Sequence, residues 1–307
     1  MHKLKIKDIF ERKKFVFSFE IFPPKPTTPL DRIYSTLDDL KGLSPDFISV
    51  TYGAGGSTRD RSPQIAIDVK NVYDIESLAH LTCIGSTGDE VVEVVDLLLE
   101  SGVHNILALR GDPPQEAVSS FVGGDFSHAI DLVKFLRERY GEKIAIGGAA
   151  YPEGHIECDD PIKDLHYLKQ KVDAGVDFLV TQLFFDNELF YRFIERTSIA
   201  GIEVPISAGI MPVVNKNQIE RIVTLCGASL PKKFVRILHR YADDPRSLEE
   251  AGIAYATDQI VDLIASGVRG IHLYTMNKAR VARKITSNIE TLREGFVNDK
   301  NNEEALL

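Results

Sequence analysis

The sequence predicts a (β/α)₈ barrel with extra helices between the seventh and eighth strands. Eight short runs rich in β-branched and aromatic residues alternate with amphipathic stretches, and successive runs lie about 30 residues apart. This spacing predicts parallel neighbours, because a parallel strand pair needs a crossover long enough for a helix. Eight such units can close a barrel. An open doubly wound sheet remains an alternative, but no G-x-G-x-x-G string follows the first strand, where a dinucleotide-binding fold needs it.

The elements follow from hydrophobic periodicity and from turn residues. The predicted strands cover residues 15–22, 47–52, 78–84, 105–110, 143–149, 178–184, 205–210 and 270–275. Helices between them include residues 30–43, 90–101, 127–140, 162–174 and 188–200. Three extra helices are predicted after the seventh strand, over residues 216–226, 231–241 and 248–265. Ile6, Ile9 and Phe10 share one helical stripe and predict a short helix lying across a core. We expect one catalytic domain over residues 1–295 and a flexible tail over 296–307.

Composition indicates which class of protein this is and which partners it excludes. The 307 residues are 44% hydrophobic and 26% charged, which is typical of a globular chain with a large core. A net charge of −9 would repel a phosphate backbone, so we expect no nucleic-acid partner. No apolar run approaches the roughly 18 residues that a membrane span needs, and the N-terminus lacks the apolar core of a secretory signal. Three scattered cysteines predict no disulfide framework, which fits a reducing cytoplasm.

In such a barrel the catalytic residues lie at the carboxyl ends of the strands. On the first strand Val16, Ser18 and Glu20 share one face, while the bulky residues between them share the other face. The bulky face suits packing beneath the outer helices, so Glu20 is predicted to face the interior near the mouth, before Pro23 ends the strand. A carboxylic acid in this partly dry setting is suited to proton donation. A structural glutamate paired with a buried arginine fits the position equally well.

Polar side chains occur at six further strand ends. They contain no Ser-His-Asp order, no HExxH string and no strand-end lysine that would indicate a Schiff base. We predict no metal site, because His80, His155 and His272 are single histidines, which more often form hydrogen bonds than bind a metal. Hydrogen-bonding groups with one or two carboxylates suit a planar heteroaromatic cofactor and a polar ring substrate.

Eight strings occur in order along the chain: FSFEIFPP at 17–24, SVTYGA at 49–54, AHLTCI at 79–84, LALRGD at 107–112, AAYPE at 149–153, KVDAG at 171–175, TQLFFD at 181–186 and LYTMN at 273–277. In this order they resemble the methylenetetrahydrofolate reductase family, and the match runs from about residue 15 to residue 284. The chain is similar in extent to the bacterial single-domain type and is expected to lack the C-terminal regulatory domain of the eukaryotic enzymes.

The resemblance implies a cytoplasmic oxidoreductase with non-covalent FAD. It would pass hydride from NADH or NADPH to FAD, and then to 5,10-methylenetetrahydrofolate, in a ping-pong scheme. The product, 5-methyltetrahydrofolate, supplies methyl groups for methionine synthesis, and relatives form homo-oligomers. No motif in the sequence selects between NADH and NADPH. Two alternatives are a barrel of this family that takes electrons from a protein partner, and a flavin-free pterin-binding transferase.

The resemblance also implies roles for individual residues. Glu20 matches the general acid that protonates N10 of the folate, and Asp112 matches a carboxylate near flavin and pterin. Further substrate-side matches are Gln182, Gln218, Tyr274 and Lys278. The matches for FAD binding are Thr51, Tyr52, Ala54, His80, Arg110, Gly111, Asp112, His128, Ala129, Tyr151, His155, Asp164, Tyr167 and Lys171.

Some of these positions have a simpler interpretation or depart from the family. Without the resemblance, Asp112 is typical of a turn before proline, and Asp164 and Lys171 are typical of solvated helix charges. Ile222 stands where relatives carry a phenylalanine, four residues after Gln218, which removes an expected stacking contact.

Overall fold

The computed structural model describes residues 4–25, 27–52, 61–111, 124–215, 219, 223 and 226–296, and the statements below refer to these residues. Their strands form a closed barrel in which every neighbouring pair is parallel and β8 pairs with β1. In order, β1 to β8 are Val16–Ile21, Phe47–Val50, Glu76–Thr82, Asn105–Leu109, Ala145–Ala150, Phe178–Thr181, Ile206–Ile210 and Gly270–Tyr274. The predicted (β/α)₈ class, with its eight strands in this order, is confirmed.

Helices surround the barrel. In order, α1 to α10 are Ile6–Arg12, Asp31–Lys41, Arg61–Asn71, Gly88–Glu100, Ala129–Tyr140, Pro161–Asp173, Asn187–Ile199, Lys232–Tyr241, Pro245–Ala265 and Ala279–Asn288. Two of the predicted extra helices are α8 and α9; most of the third, at 216–226, lies outside the described residues. The predicted tail also lies outside them, apart from Phe296. In the described part of the chain, no helix has the length and apolar character needed to cross a membrane.

The N-terminal end of the barrel is closed by α1, as the apolar stripe predicted. Phe10 of α1 packs on Phe178, with ring centroids 5.9 Å apart, within a buried cluster that includes Val16 and Phe47. The Ile6 amide donates a hydrogen bond of 2.8 Å to the side chain of Asn105 on β4. Because this end is filled, the opposite end of the barrel is left for a ligand.

The predicted assignment of faces on β1 is also confirmed. Phe17, Phe19 and Ile21 are buried in the large cluster between the strands and the helices, whereas Val16 belongs to the cluster inside the barrel. Burying each such side chain contributes roughly 1.5–3 kcal/mol. A shift of one residue would reverse both faces of the strand. The register that buries these residues therefore also turns Glu20 towards the interior.

Candidate active site

One carboxylate oxygen of Glu20 lies close to side chains from three other strands. Its Oε2 lies 3.4 Å from Ser49 Oγ of β2, 3.5 Å from His80 Nε2 of β3 and 3.6 Å from His272 Nε2 of β8. The Glu20 side chain is 19% exposed, so it is largely enclosed yet reachable from the mouth. This position suits a group that exchanges a proton with a bound molecule.

His272 lies beneath Glu20 and is fully buried. Its Nδ1 is 2.7 Å from Ser18 Oγ, and its Nε2 is 3.1 Å from Ser49 Oγ. Each ring nitrogen thus faces a hydroxyl group, and a hydroxyl can either donate or accept. These two contacts fix the orientation of the ring, so His272 presents a fixed polar group beneath the Glu20 carboxylate.

His80 is buried beside Glu20 and carries an unpartnered atom. Its Nε2 has no hydrogen-bond partner among the described residues, although Glu20 Oε2 is 3.5 Å away. Burial lowers the pKa of His80 to about 4, against the opposing effect of the Glu20 carboxylate. The imidazole is therefore neutral at physiological pH. His80 and His272 converge on Glu20, whereas His155 instead packs on Tyr151, with ring centroids 4.7 Å apart.

Tyr274 forms one side of the mouth at the end of β8. Its hydroxyl donates to the carbonyl oxygen of Thr181 at 2.7 Å. Burial, helped by the charge of Glu20, raises the pKa of Tyr274 well above its ordinary value, so the hydroxyl keeps its proton. Gly209 makes room for this ring, because a Cβ there would overlap the Thr181 oxygen and lie 2.7 Å from a ring carbon of Tyr274.

A pair of charged residues, Lys171 and Asp164, lies on α6 near the end of β5. Lys171 donates from Nζ to the carbonyl oxygen of Ala149 at 2.6 Å, and burial lowers the pKa of Lys171 to about 8. Asp164 lies two turns earlier on the same face of α6, and its negative charge opposes that shift. Burial raises the pKa of Asp164, against a backbone hydrogen bond from His155. Lys171 turns into the protein and Asp164 is half-buried, so neither is a fully solvated helix charge.

Arg110 presents its guanidinium at the end of β4. It binds both carboxylate oxygens of Glu157, at 2.5 and 2.7 Å, and this pairing lowers the pKa of Glu157. Glu157 was not predicted as a site residue. Gly111, which follows, has φ +84°, and a Cβ there would lie 2.9 Å from the Cβ of Thr82. The backbone after β4 thus requires glycine. A planar guanidinium that binds a carboxylate in this way can also bind a phosphate.

The remaining predicted residues differ in placement. Those at the carboxyl ends of strands or the starts of the following helices are Thr51, Tyr52, Gln182, Ala129 and Lys278. The side chain of His128 is 71% exposed and the residue Tyr167 is 48% exposed. Both lie outside the cluster around Glu20 and the Lys171–Asp164 pair. Ala54, Asp112, Gln218 and Ile222 lie outside the described residues.

Comparison with known proteins decides the family. The family model described as methylenetetrahydrofolate reductase matches residues 5–290. The chain belongs to the methylenetetrahydrofolate reductase family. The resemblance inferred from the eight strings is confirmed.

Members of this family from bacteria and plants match over different shares of their length. The 5,10-methylenetetrahydrofolate reductases of Escherichia coli K12 and Pectobacterium carotovorum are each 37% identical over 268 residues, which is 87% of this chain and 88% of each relative. Methylenetetrahydrofolate reductase (NADH) 1 of Arabidopsis thaliana is 36% identical over 304 residues, 95% of this chain and 51% of that protein. The chain spans about half the length of the plant relatives it matches.

Solved structures share the fold of this reductase family member. A Clostridium thermocellum protein described as binding two copies of 5-methyl-5,6,7,8-tetrahydrofolic acid superposes with a TM-score of 0.65 at 17% identity. The match covers 94% of this chain and 99% of that one. A 2,3-dimethylmalate lyase matches with a TM-score of 0.52 at 11% identity. At these identities the likeness establishes the barrel architecture.

Proposed function

We propose that this protein reduces 5,10-methylenetetrahydrofolate to 5-methyltetrahydrofolate, with FAD as cofactor and NADH or NADPH as hydride source. Both substrates would use one site in turn, and the product would supply methyl groups for methionine synthesis. The observation that carries the proposal is the enclosed Glu20 carboxylate at the mouth of the barrel, among Ser49, His80 and His272, in a chain of the reductase family.

The described side chains fit a flavin dinucleotide. Arg110 and Lys171 place two cationic groups at the ends of β4 and β5, which suits a pyrophosphate, and the unpartnered Nε2 of His80 can bond to a polar ring. We propose that FAD is held by Thr51, Tyr52, Ala54, His80, Arg110, Gly111, Asp112, His128, Ala129, Tyr151, His155, Asp164, Tyr167 and Lys171. When bound, the flavin would accept hydride from a nicotinamide and pass it to the folate.

Glu20 would act on the folate rather than on the cofactor. Protonation of N10 by Glu20 makes that nitrogen a better leaving group, so the five-membered ring opens to a 5-iminium cation that can accept hydride. His80, neutral at physiological pH, places no positive charge beside Glu20. We propose Asp112, Gln182, Gln218, Tyr274 and Lys278 as the residues that bind the folate, with Asp112 helping to stabilise the developing cation by charge.

Flavin spectroscopy tests the proposal directly. The purified protein should show the visible absorbance of bound FAD, lose it on anaerobic addition of NADH or NADPH, and regain it when 5,10-methylenetetrahydrofolate is added. A colourless protein that FAD does not reconstitute would point to a flavin-free transferase. A flavin that neither nicotinamide bleaches would point to electron delivery by a protein partner.

Replacing Lys171 by methionine should weaken FAD binding by about 10- to 100-fold, because a charge-assisted hydrogen bond to phosphate is lost. In the parent protein without FAD, Lys171 loses its proton as the pH rises through about 8. A bound phosphate favours the charged form, so the affinity of the parent for FAD should fall as the pH rises above that value. The variant should show no such fall. Fluorescence titration of the apoprotein with FAD measures both effects.

The matched control for this experiment is Lys169→Met. Lys169 lies on the same helix but forms an exposed pair with Asp173. Its replacement should leave the affinity for FAD and its pH dependence unchanged. Equal affinities of Lys171→Met and the parent would contradict the role of Lys171 in binding phosphate.

A further inference from the structure

The strand end that carries Glu20 lies where the sheet pairing of the described residues ends. Among them β1 pairs with β8 as far as Glu20 and with β2 as far as Ile21, whose carbonyl oxygen accepts from the Thr51 N–H at 3.0 Å. Phe22 follows, and then come Pro23 and Pro24, which have no backbone N–H to donate. The ladder therefore ends at Glu20 on one side and one residue later on the other. On the β8 side, contacts outside the ladder hold the backbone from which the Glu20 side chain reaches the mouth.

Thr275, directly after β8, supplies the first of these contacts. Its Oγ1 donates to the carbonyl oxygen of Glu20 at 2.6 Å, and its backbone N–H donates to the same oxygen at 3.3 Å. The side chain is buried, so water does not compete for this bond. Thr275 Oγ1 also accepts from the backbone N–H of Asn277 at 3.2 Å, which ties the threonine into the following turn.

Asn277 supplies the second contact by acting as a strand partner for Phe22. Its Oδ1 accepts from the Phe22 N–H at 3.1 Å, and its Nδ2 donates to the Phe22 carbonyl oxygen at 2.8 Å. One side-chain amide thus replaces both ladder bonds that a neighbouring strand would provide. In this turn Met276 and Asn277 adopt φ values of +51° and +54°, a left-handed conformation that asparagine tolerates and that is uncommon for methionine.

We propose that Thr275 and Asn277 are positioning residues for Glu20. The turn after β8 holds the exit of β1 in register and sets the distance between the Glu20 carboxyl group and the folate nitrogen. A displacement of about 1 Å at a reacting group can cost up to about 100-fold in rate, so loss of this clamp should slow the protonation step. The inference rests on the proposed function, since it assigns these residues to the step in which Glu20 donates its proton.

Thr275→Val tests the clamp, because valine keeps the shape of the side chain and removes the hydroxyl donor. We expect reoxidation of the reduced flavin by 5,10-methylenetetrahydrofolate to slow by about tenfold, with reduction by the nicotinamide within about twofold of the parent. Thr275→Ser restores the donor and should restore the folate step. Thr286→Val is the matched control, because the buried hydroxyl of Thr286 has no partner among the described residues.

A readout that does not depend on activity is hydrogen exchange of the backbone around Phe22. In Asn277→Ala the Phe22 amide loses its acceptor and should exchange faster, while peptides from β4 and β5 exchange as in the parent. Equal slowing of both half-reactions in Thr275→Val, or a folate step at the parent rate, would overturn the clamp. Failure of the proposed function has a different signature, in which the parent itself is not reoxidised by the folate.

Discussion

Glu20→Gln should retain its flavin and be reduced by the nicotinamide, yet fail to pass hydride to the folate. Glutamine keeps the length of the side chain and an oxygen that Ser49 can bond, but its amide is not an acid that can protonate N10. A positioned general acid contributes roughly 10²–10⁴ in rate, so we expect a loss of this size in the folate half-reaction alone. Anaerobic stopped-flow measurement of the two half-reactions separates them.

Glu76→Gln is a suitable control for this experiment. Glu76 is also a largely enclosed carboxylate on a barrel strand, but it begins β3 at the opposite end of the barrel, where it pairs with Lys70. Its replacement should change stability and leave both half-reactions at the parent rate. Normal folate turnover by Glu20→Gln would refute the proposed mechanism, whatever the family of the chain.

Periodicity was sufficient to predict the barrel and the direction in which Glu20 points. Alternation along β1 separates Ser18 and Glu20 from the aromatic residues, and the outer helices select the aromatic face. Alternation along β1 alone does not predict which residues lie beneath Glu20. This set depends on register, which pairs Glu20 with Ser49 and Ser18 with His272. A shift of one residue on either neighbour would separate these pairs, and no local pattern in the sequence specifies that register.

The charges on α6 show a second limit of periodicity. A spacing of seven residues indicates that Asp164 and Lys171 share a helical face, but not whether that face meets water or protein. The structure turns Lys171 towards the carbonyl oxygen of Ala149. The Arg110–Glu157 pair joins residues 47 positions apart through loops, whose geometry follows from tertiary packing rather than from local sequence.

Gly252→Ala should destabilise the protein by about 2–3 kcal/mol, although alanine is the better helix former by about 1 kcal/mol. Gly252 lies within α9, where the helix packs against the segment leaving β7. A Cβ there would overlap the carbonyl oxygen of Val213 and lie 2.8 Å from its carbonyl carbon. Both obstacles are backbone atoms, so no change of side-chain rotamer relieves the overlap. Denaturant unfolding of the variant and the parent measures the difference.

The control for this prediction is another glycine in a helical conformation that has free space. Gly42 has φ −62° at the end of α2, and a Cβ there would meet its nearest atom at an ordinary 3.6 Å. Gly42→Ala should be neutral, or stabilising by up to about 1 kcal/mol, because alanine restricts the unfolded chain. Val213 is buried with Phe185, Phe234 and Leu248, so moving α9 disturbs the cluster that supports the exit of β7. Equal stabilities of the two variants would mean that α9 can move away from β7 at no cost, and that the extra helices support this side of the mouth only loosely.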